Sequence, residues 1–456
     1  MSLATHVYPL LPPPLLPYLP FLTALFFLLL GLFLNPLGIP LPAFFDVHQR
    51  KGLRKATRAY APPESLPTRH YVVLVNPNAG AGQGRIIYEE VILPMLEKAG
   101  QTHDVVWTVG PGHATEVCAA VAAGRLRGVR SGTGKIRSTA TTTVTLAPPD
   151  CVISASGDGM LHECLNGLLA PAAGRATRAS SPARSGAGCP VPLAVVPVGS
   201  GNGVSDSLYG RGCGPHAALA KIIAGKPKPA DVMAVRYDGE EAVTYDLHYF
   251  SWAVFADHDF LTENTLRFLG PMVKMIVAPI IVLCRRTFYS AVVEFEPAPV
   301  PKDLLLTGAY ADPKVFAKSE RDPSMRRIED SFWCFAVGNL REAGGGLMPV
   351  PNVRMCEGAA DILMVRRSKT NSWLGRLIMW RSAMMFLSMD DGSHTTADDV
   401  EIVKCSRLRL EPGVSSEWGW KGGRGIFQCS GQEMGMPKLS MELSVEKGRA
   451  RVMVAD

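Results

Sequence analysis

Three segments in the first half of the sequence share one design, in which a short apolar run ends in a glycine-rich turn and a helix-forming stretch follows. The apolar runs are residues 71–75, 151–155 and 192–198, and the turns are NPNAGAGQGR (76–85), SGDG (156–159) and PVGSGN (197–202). A fourth unit has a strand-like run at 103–109 and a helical pattern at 114–123. Repeated strand–turn–helix units predict a Rossmann-like α/β domain, in which a parallel sheet has helices on both faces.

The glycine-rich turns indicate a phosphate site. Glycines allow backbone N–H groups to approach an oligophosphate, and the helix that follows each turn directs its positive end at the same anion. A single turn of this kind would be weak evidence, but three turns at the carboxyl edge of one parallel sheet are at the place where open α/β sheets bind ligands. None of them matches GxxxxGK[ST], so the sequence does not support a Walker-type loop.

Asp158 stands between two glycines at the second turn, and two interpretations are open for it. It could be a turn or N-cap aspartate that accepts local N–H groups. It could instead be a general base or metal-linked carboxylate beside a transferred phosphoryl group. Glu163 and Asn166 follow on the next helix, and we expect both to face the same cleft. His162, taken by itself, is typical of a hydrogen-bonded interior histidine.

The pattern changes in the second half. Strand-like runs occur with few helices between them, at residues 231–237, 244–256, 288–295, 332–337, 361–365 and 401–410. Residues 266–284 and 373–389 look helical. This pattern predicts a C-terminal antiparallel domain. We predict inserted loops at 124–149, 171–190 and 296–330, and we place the domains at 70–215 and 216–456.

The N-terminal residues 1–69 predict a membrane anchor. Residues 21–34 (FLTALFFLLLGLFL) are almost purely apolar and no charged residue precedes Asp46, although prolines on both sides disfavour one straight spanning helix. Residues 50–58 contain several Arg and Lys residues and no Asp or Glu, and a basic flank of this kind stays on the cytoplasmic side. We therefore expect a span or hairpin anchor with the catalytic domains facing the cytoplasm; the alternative is an apolar segment buried against the protein's own core.

The distribution of charge and cysteine excludes other classes. The formal net charge of +6 comes from acid-free stretches at 47–58, 121–149 and 171–190, so the remainder of the chain is net negative and a nucleic-acid partner is disfavoured. The ten cysteines form no CxxC pair and no cluster with zinc-ligand spacing. They are typical of a reduced, cytosol-facing protein.

The second turn and its helix resemble a known family. SGDGMLHECLNGL (156–168) is similar to the signature of the sphingosine (long-chain-base) kinases in the diacylglycerol kinase catalytic superfamily. Residues 75–84 resemble the first conserved block of that family, 197–203 its third and WAVFADHD (252–259) its fourth. Other branches of the superfamily typically have Gly-Gly-Asp-Gly, so Ser156 together with His162 and Glu163 favours the sphingoid branch.

The resemblance implies roles for particular residues. Asp158 would be the base for the primary hydroxyl of the lipid. Asp259 would hold the amine and hydroxyl of a sphingoid head group, with Asp257 in support and His162 on the substrate side. The remaining residues would bind ATP, and they are Asn76, Gly80, Gly82, Thr108, Ser156, Gly157, Gly159, Glu163, Gly199, Ser200, Gly201, Asn202, Arg267 and Glu433. Arg267 aligns after one inserted residue, a second family arginine falls on Val273 beside Lys274, and Glu433 replaces the glutamate of the family's C-terminal Asp-Gly-Glu.

The same resemblance implies a reaction and its alternatives. We expect an α/β domain that binds ATP, a C-terminal β-sandwich that encloses an acyl chain, and Mg²⁺ bridging the β- and γ-phosphates, with protein ligands left unassigned. The product would be the 1-phosphate of sphingosine or sphinganine. Diacylglycerol or ceramide could be the acceptor instead, but a neutral lipid gives Asp259 no cation to bind. A catalytically silent, nucleotide-binding membrane adaptor is the alternative from another class. The preferred base, the membrane and the oligomeric state are not determined by the sequence.

Overall fold

The computed structural model describes residues 41–455 with gaps at 136–139, 171–188, 239, 263–277, 279–280, 283–286, 306–307, 370–384, 386–387, 414–423 and 434–439. The apolar run 21–34, Arg267 and most of the two helices expected at 266–284 and 373–389 lie outside the described residues. No helix in the described ranges is both long enough and apolar enough to span a bilayer.

The N-terminal half alternates strands with helices. Its strands are β1 (His70–Val75), β2 (Thr102–Trp107), β3 (Val129–Gly132), β4 (Thr141–Val144), β5 (Cys151–Ser156) and β6 (Leu193–Pro197). Its helices are α1 (Leu41–Ala59), α2 (Ala79–Gly82), α3 (Gly84–Ile87), a π-helical turn (Tyr88–Ile92), α4 (Leu93–Lys98), α5 (His113–Ala122), α6 (Asp158–Leu169), α7 (Gly203–Tyr209) and α8 (Pro215–Ala224).

Four of these strands form a parallel sheet in the order β2–β1–β5–β6, which confirms the α/β prediction. β1, β5 and β6 are buried almost throughout, as apolar runs in a parallel sheet must be when helices cover both faces. Since all four strands run in the same direction, the glycine-rich turns after β1, β5 and β6 lie at one edge.

The prediction of an inserted loop at 124–149 was wrong in one respect, because this segment contains an antiparallel hairpin of β3 and β4. The β-branched run Thr141–Val144 favours strand structure, which a reading of the stretch as polar loop overlooked. The hairpin lies beside the edge strand β2, where the Trp107 N–H donates to Ser131 Oγ at 3.1 Å.

The C-terminal half is mainly antiparallel, as predicted. Its strands are β7 (Lys226–Tyr237), β8 (Val243–Asp246), β9 (Tyr249–Ala253), β10 (Tyr289–Pro297), β11 (Ala317–Lys318), β12 (Arg326–Gly338), β13 (Ala360–Arg366), β14 (Val400–Pro412), β15 (Gln428–Cys429), β16 (Gln432–Glu433) and β17 (Met441–Val454). Its helices are α9 (Val254–Phe260), α10 (Lys302–Leu305) and the 3₁₀ turns Pro313–Val315 and Ser393–Thr396. The insertion predicted at 296–330 is shorter than expected, because it contains β11 and overlaps the end of β10 and the start of β12.

Successive side chains of the antiparallel strands enter two different cores. On β13, Ile362 and Met364 pack in one buried cluster, whereas Leu363 and Val365 pack in another. This alternation follows from the two-residue period of a strand, and it shows that both faces of the sheet are covered.

The last strand joins the two halves. β17 pairs antiparallel with β14 and β7, and it also pairs parallel with β6 through Val452 and Leu193. The result is one continuous mixed sheet that runs from β2 to the C-terminal domain. The sequence reading missed β17, although its partner β7 was partly identified.

Candidate active site

The three glycine-rich turns touch one another. A Cβ atom on Gly199 would lie 2.5 Å from Gly157 Cα, and a Cβ atom on Gly80, whose φ is +55°, would lie 2.3 Å from the carbonyl oxygen of Val198. Any side chain at Gly80 or Gly199 would therefore force the third turn away from its neighbours. The structure thus brings together the three turns that the sequence singled out.

Polar side chains link the first two turns and the end of β2. The Asn76 side-chain amide lies 3.5 Å from Ser156 Oγ, and Asn76 Oδ1 accepts the Asn78 N–H at 2.9 Å. Thr108 is buried directly after β2, and its N–H donates to the Val75 carbonyl at 2.9 Å. These predicted ATP-binding residues lie at adjacent strand ends.

Asp158 begins α6 and connects the second turn to the third. Its carboxylate accepts the N–H groups of Gly203 and Val204 at 2.8 and 3.0 Å, at the first turn of α7. Of the two interpretations from the sequence, the local N-cap is therefore wrong in its detail, because the N–H groups come from a different helix. The two hydrogen bonds hold the carboxylate in place. Because each oxygen accepts only one N–H, each keeps a further lone pair that can accept a proton.

The third turn contacts the C-terminal domain. Asn202 has a left-handed backbone and closes the turn, since its side chain accepts the Gly199 N–H at 2.9 Å and donates to the Gly199 carbonyl at 2.8 Å. The Gly201 carbonyl accepts the Gly345 N–H at 3.3 Å. A cleft of about 420 Å³ lies at this junction, lined by residues that include Gly201, Asn202, Asp206, Arg211 and Gly345.

Sequence reasoning missed the loop that supplies Gly345. Its signal was three consecutive glycines, Gly344–Gly346, which all adopt positive φ. A Cβ atom on Gly344 would lie 2.9 Å from the Gly201 carbonyl carbon, so this position too requires glycine. On the cleft wall, burial raises the pKa of Asp206 above its usual value, whereas the N–H of Gly212 stabilises the carboxylate.

Two further residues of the predicted ATP set have intramolecular partners. Glu163 Oε2 accepts the Ala114 N–H at 3.3 Å at the first turn of α5. Glu433 is in β16, whose backbone pairs with β15. The neighbouring Gln432, which the sequence reading did not select, donates from its side chain to the Gly159 carbonyl at 2.9 Å. Gln432 therefore connects β16 to the second glycine-rich turn.

The three residues predicted to bind substrate occupy different environments. His162 is buried, with Nδ1 3.4 Å from Asp246 Oδ2. Asp257 is 3% exposed, and its carboxylate accepts the Tyr289 hydroxyl at 2.8 Å. The Asp259 side chain is 40% exposed, beside His258. Of the two aspartates on α9, Asp259 is thus the accessible one, and Asp257 attaches the helix to β10.

The residues at the turns fit a nucleotide with its metal better than a metal held by protein alone. In the described ranges, no group of three or more His, Cys, Asp or Glu side chains is arranged to hold an ion. Mg²⁺ in kinases needs only one or two carboxylates, because phosphates and water supply the other ligands. The glycine turns would hold the phosphates that carry such an ion, and no side chain is assigned to it.

Comparison with known proteins identifies the catalytic domain and its relatives. Residues 70–235 match the model of the diacylglycerol kinase catalytic domain. The chain is 22% identical over 410 residues to sphingosine kinase 1 of Arabidopsis thaliana, covering 83% of this chain and 74% of that protein. It is 22% identical over 357 residues to sphingoid long chain base kinase 4 of Schizosaccharomyces pombe, covering 76% and 68%. The chain therefore carries a diacylglycerol kinase catalytic domain, and over most of its length it is similar to sphingosine and long-chain-base kinases.

Solved structures support the fold of this kinase. A putative diacylglycerol kinase from Bacillus anthracis str. Sterne superposes with a TM-score of 0.53 at 16% identity, covering 87% of this chain and 98% of that one. The superposition shows a diacylglycerol-kinase-like fold with a mixed sheet. The catalytic-domain match and the similar kinases support lipid kinase activity.

Proposed function

We propose that this lipid kinase transfers the γ-phosphoryl group of ATP to the primary hydroxyl of a sphingoid long-chain base and releases the 1-phosphate. The observation that carries the proposal is the accessible Asp259 carboxylate on α9, a helix held by the buried hydrogen bond between Tyr289 and Asp257. A fixed anion suits the cationic amine of a sphingoid base. Diacylglycerol and ceramide have no such cation, so a carboxylate there would be desolvated without compensation.

Asp158 is the residue that we propose as the base. Two N–H groups of α7 hold its carboxylate in one orientation, so it is ready to accept the proton of the acceptor hydroxyl as the new P–O bond forms. The glycine turns would place backbone N–H groups around the phosphates, and bound Mg²⁺ would supply charge neutralisation on the β- and γ-phosphates. Catalysis in such a site consists mainly of positioning and electrostatic stabilisation.

We also propose that the enzyme works at a membrane with its catalytic domains in the cytoplasm. Lys51, Lys55 and Arg58 are exposed on α1, the helix that follows the apolar N-terminal run. α1 is fixed to the catalytic domain because Arg54 donates to Glu90 at 2.6 Å. Cations in this position are attracted to anionic head groups by roughly 1 kcal/mol each. Flotation with phosphatidylserine vesicles at low and high salt tests this, and salt-insensitive binding would contradict the electrostatic part.

The main experiment measures transfer from labelled ATP with Mg²⁺ to sphinganine, sphingosine, diacylglycerol and ceramide in mixed micelles. Asp158→Asn should lower kcat by about 10²–10⁴-fold, the usual contribution of a general base. Asp259→Asn should raise KM for the sphingoid base and leave KM for ATP unchanged. Asp398→Asn, an exposed carboxylate elsewhere in the C-terminal domain, is the matched control and should behave like wild type.

The outcomes separate the alternatives. If diacylglycerol is the better acceptor and Asp259→Asn has no effect, the sphingoid substrate is wrong although the superfamily assignment stands. If ATP binds and no lipid is phosphorylated, the silent adaptor becomes the better hypothesis.

A further inference from the structure

Helix α6, which begins with Asp158, is held on two sides. On one side, Thr115 Oγ1 donates to the Glu163 carbonyl at 3.1 Å, and a Cβ atom on Gly167 would lie 2.4 Å from the Thr115 carbonyl oxygen. Glu163 and Gly167 are four residues apart, so they lie on the same face of the helix. This face packs on α5 within the N-terminal domain.

A second face of α6, roughly 100° around the helix axis from the first, contacts the C-terminal domain. Gln432 donates to the Gly159 carbonyl at 2.9 Å at the first turn of the helix. At the third turn, the Asn166 side chain accepts the Tyr245 N–H and donates to the Tyr245 carbonyl, both at 2.8 Å. Gly159, His162 and Asn166 are spaced by three and four residues, so His162 lies between these two contacts on the same face.

His162 meets a buried carboxylate at this position. Its side chain is 6% exposed and that of Asp246, at the end of β8, is fully buried, with His162 Nδ1 3.4 Å from Asp246 Oδ2. The other oxygen, Asp246 Oδ1, accepts the His248 N–H at 2.6 Å and the Ser430 hydroxyl at 2.8 Å. Within the described residues, neither His162 Nδ1 nor Asp246 Oδ2 forms a hydrogen bond of good geometry.

Two buried polar atoms that stop short of a hydrogen bond destabilise this state of the enzyme relative to one in which they meet. A buried polar atom without a partner costs free energy comparable to a lost hydrogen bond, and more when it carries charge. In unliganded enzymes, the hydrogen bonds that matter for catalysis are often long and shorten only in the substrate complex. At 3.4 Å the contact between His162 and Asp246 has this character.

We propose that His162 is a positioning residue, which links the catalytic helix to the C-terminal domain by closing a hydrogen bond to Asp246 when the acceptor lipid is bound. His162 lies about one helical turn from Asp158, so the link sets where the catalytic carboxylate stands relative to the domain proposed to hold the lipid. An error of about 1 Å in such a position costs about 10²-fold in rate. The dependence on the acceptor rests on the proposed sphingoid kinase activity.

Two substitutions at His162 separate positioning from simple packing. The side-chain nitrogen of Asn is in nearly the same place as Nδ1 of His, whereas that of Gln is in nearly the same place as Nε2. His162→Asn should therefore keep kcat with sphinganine within about threefold of wild type. His162→Gln should lower kcat at least tenfold, with KM for ATP within twofold of wild type.

His394 provides the matched control. It is also buried, with Nε2 2.8 Å from the Pro349 carbonyl oxygen, but it lies in the 3₁₀ turn Ser393–Thr396 and away from α6. His394→Asn and His394→Gln should shift the unfolding midpoint without separating in kcat. If both substitutions at His162 leave kcat at the wild-type level, or if the two lower it equally, the proposal is overturned.

A double-substitution cycle tests whether Asp246 is the partner. Asp246→Asn should lower kcat. The double variant His162→Gln/Asp246→Asn should have a kcat no lower than that of the slower single variant, because each substitution alone already removes the same hydrogen bond. Multiplicative losses in kcat would overturn the pairing. Hydrogen–deuterium exchange gives a readout that does not need turnover: sphinganine should slow exchange in α6 and β8 of wild type and not of His162→Gln. If wild type phosphorylates no lipid, the proposed function is wrong. If sphinganine changes hydrogen–deuterium exchange equally in wild type and His162→Gln, the link between His162 and Asp246 is wrong, whatever the result for lipid phosphorylation.

Discussion

Replacing Gly199 with alanine tests whether the contact between the second and third turns matters for phosphoryl transfer. The new Cβ would lie 2.5 Å from Gly157 Cα and 3.0 Å from Gly157 N. Both neighbours are backbone atoms, so they cannot rotate away as a side chain could. Because φ of Gly199 lies outside the left-handed region, the steric contact alone determines the result.

The size of the effect follows from the distance. Carbon atoms in contact prefer separations of about 3.5–4.0 Å, so the turns must separate by roughly 1 Å. Overpacking of this kind costs about 1–3 kcal/mol of folding free energy. A displacement of about 1 Å beside the reacting groups should also lower kcat/KM for ATP by about 10²-fold, which corresponds to roughly 2.7 kcal/mol.

The assay compares urea unfolding and steady-state kinetics for Gly199→Ala and Gly214→Ala. Gly214 has φ −73° and ψ 169°, and a Cβ atom there would meet no atom within 4 Å, so alanine should be tolerated. Gly199→Ala should show both the stability loss and the kinetic loss. If its kcat/KM for ATP stays within threefold of wild type, the turns do not need to touch for catalysis, and the argument from close packing is refuted.

Three other substitutions test the stability of the fold. Ala253 has φ 61° and ψ −132°, a conformation that costs a residue other than glycine about 1–3 kcal/mol. Ala253→Gly should therefore raise the free energy of unfolding in urea by roughly 1 kcal/mol, in spite of the flexibility that glycine adds to the unfolded chain, and a lower free energy would contradict this. Lys404 Nζ lies 2.7 Å from the fully buried Asp361 carboxylate, and Lys404→Met removes this cation. The free energy of unfolding in urea should therefore fall by about 3–5 kcal/mol. A loss below about 1 kcal/mol would refute the reasoning. The hydrogen bond from Arg54 lowers the pKa of Glu90 below its usual value of 4.5. The stability that the ionised carboxylate contributes is therefore present above pH 4.5 and is lost as the pH falls through the lower folded pKa. Wild type should exceed Glu90→Gln in free energy of unfolding at about pH 7, and the difference should shrink as the pH falls below 4.5; a difference that does not change with pH would contradict this.

The sequence was most informative where the signal is local. An apolar run followed by glycines and a helix predicts a buried parallel strand and its turn, and β1, β5 and β6 are found where those runs lie. The fixed direction of parallel strands then places the turns at one edge without any knowledge of long-range contacts. The predicted residue at the centre of the site, Asp158, lies at the start of α6 among those turns.

The partner of each surface was not predictable in this way. Apolar periodicity shows that a residue is buried, but it does not identify the segment against which it packs. β17 completes the N-terminal sheet through a pairing between Val452 and Leu193, and Gln432 reaches Gly159 from 273 residues away in the sequence. The residues that hold the Asp158 carboxylate, Gly203 and Val204, come from the next turn along the sheet.

The sequence by itself thus determined the buried strands β1, β5 and β6, their glycine turns and the position of Asp158 among them, because each depends on backbone conformation and burial over a few neighbouring residues. The tertiary structure decided how the turns support one another and how the C-terminal domain attaches to α6 at Gly159, His162 and Asn166. Those contacts join residues far apart in the chain, and their free energy exists only once folding has brought both partners together.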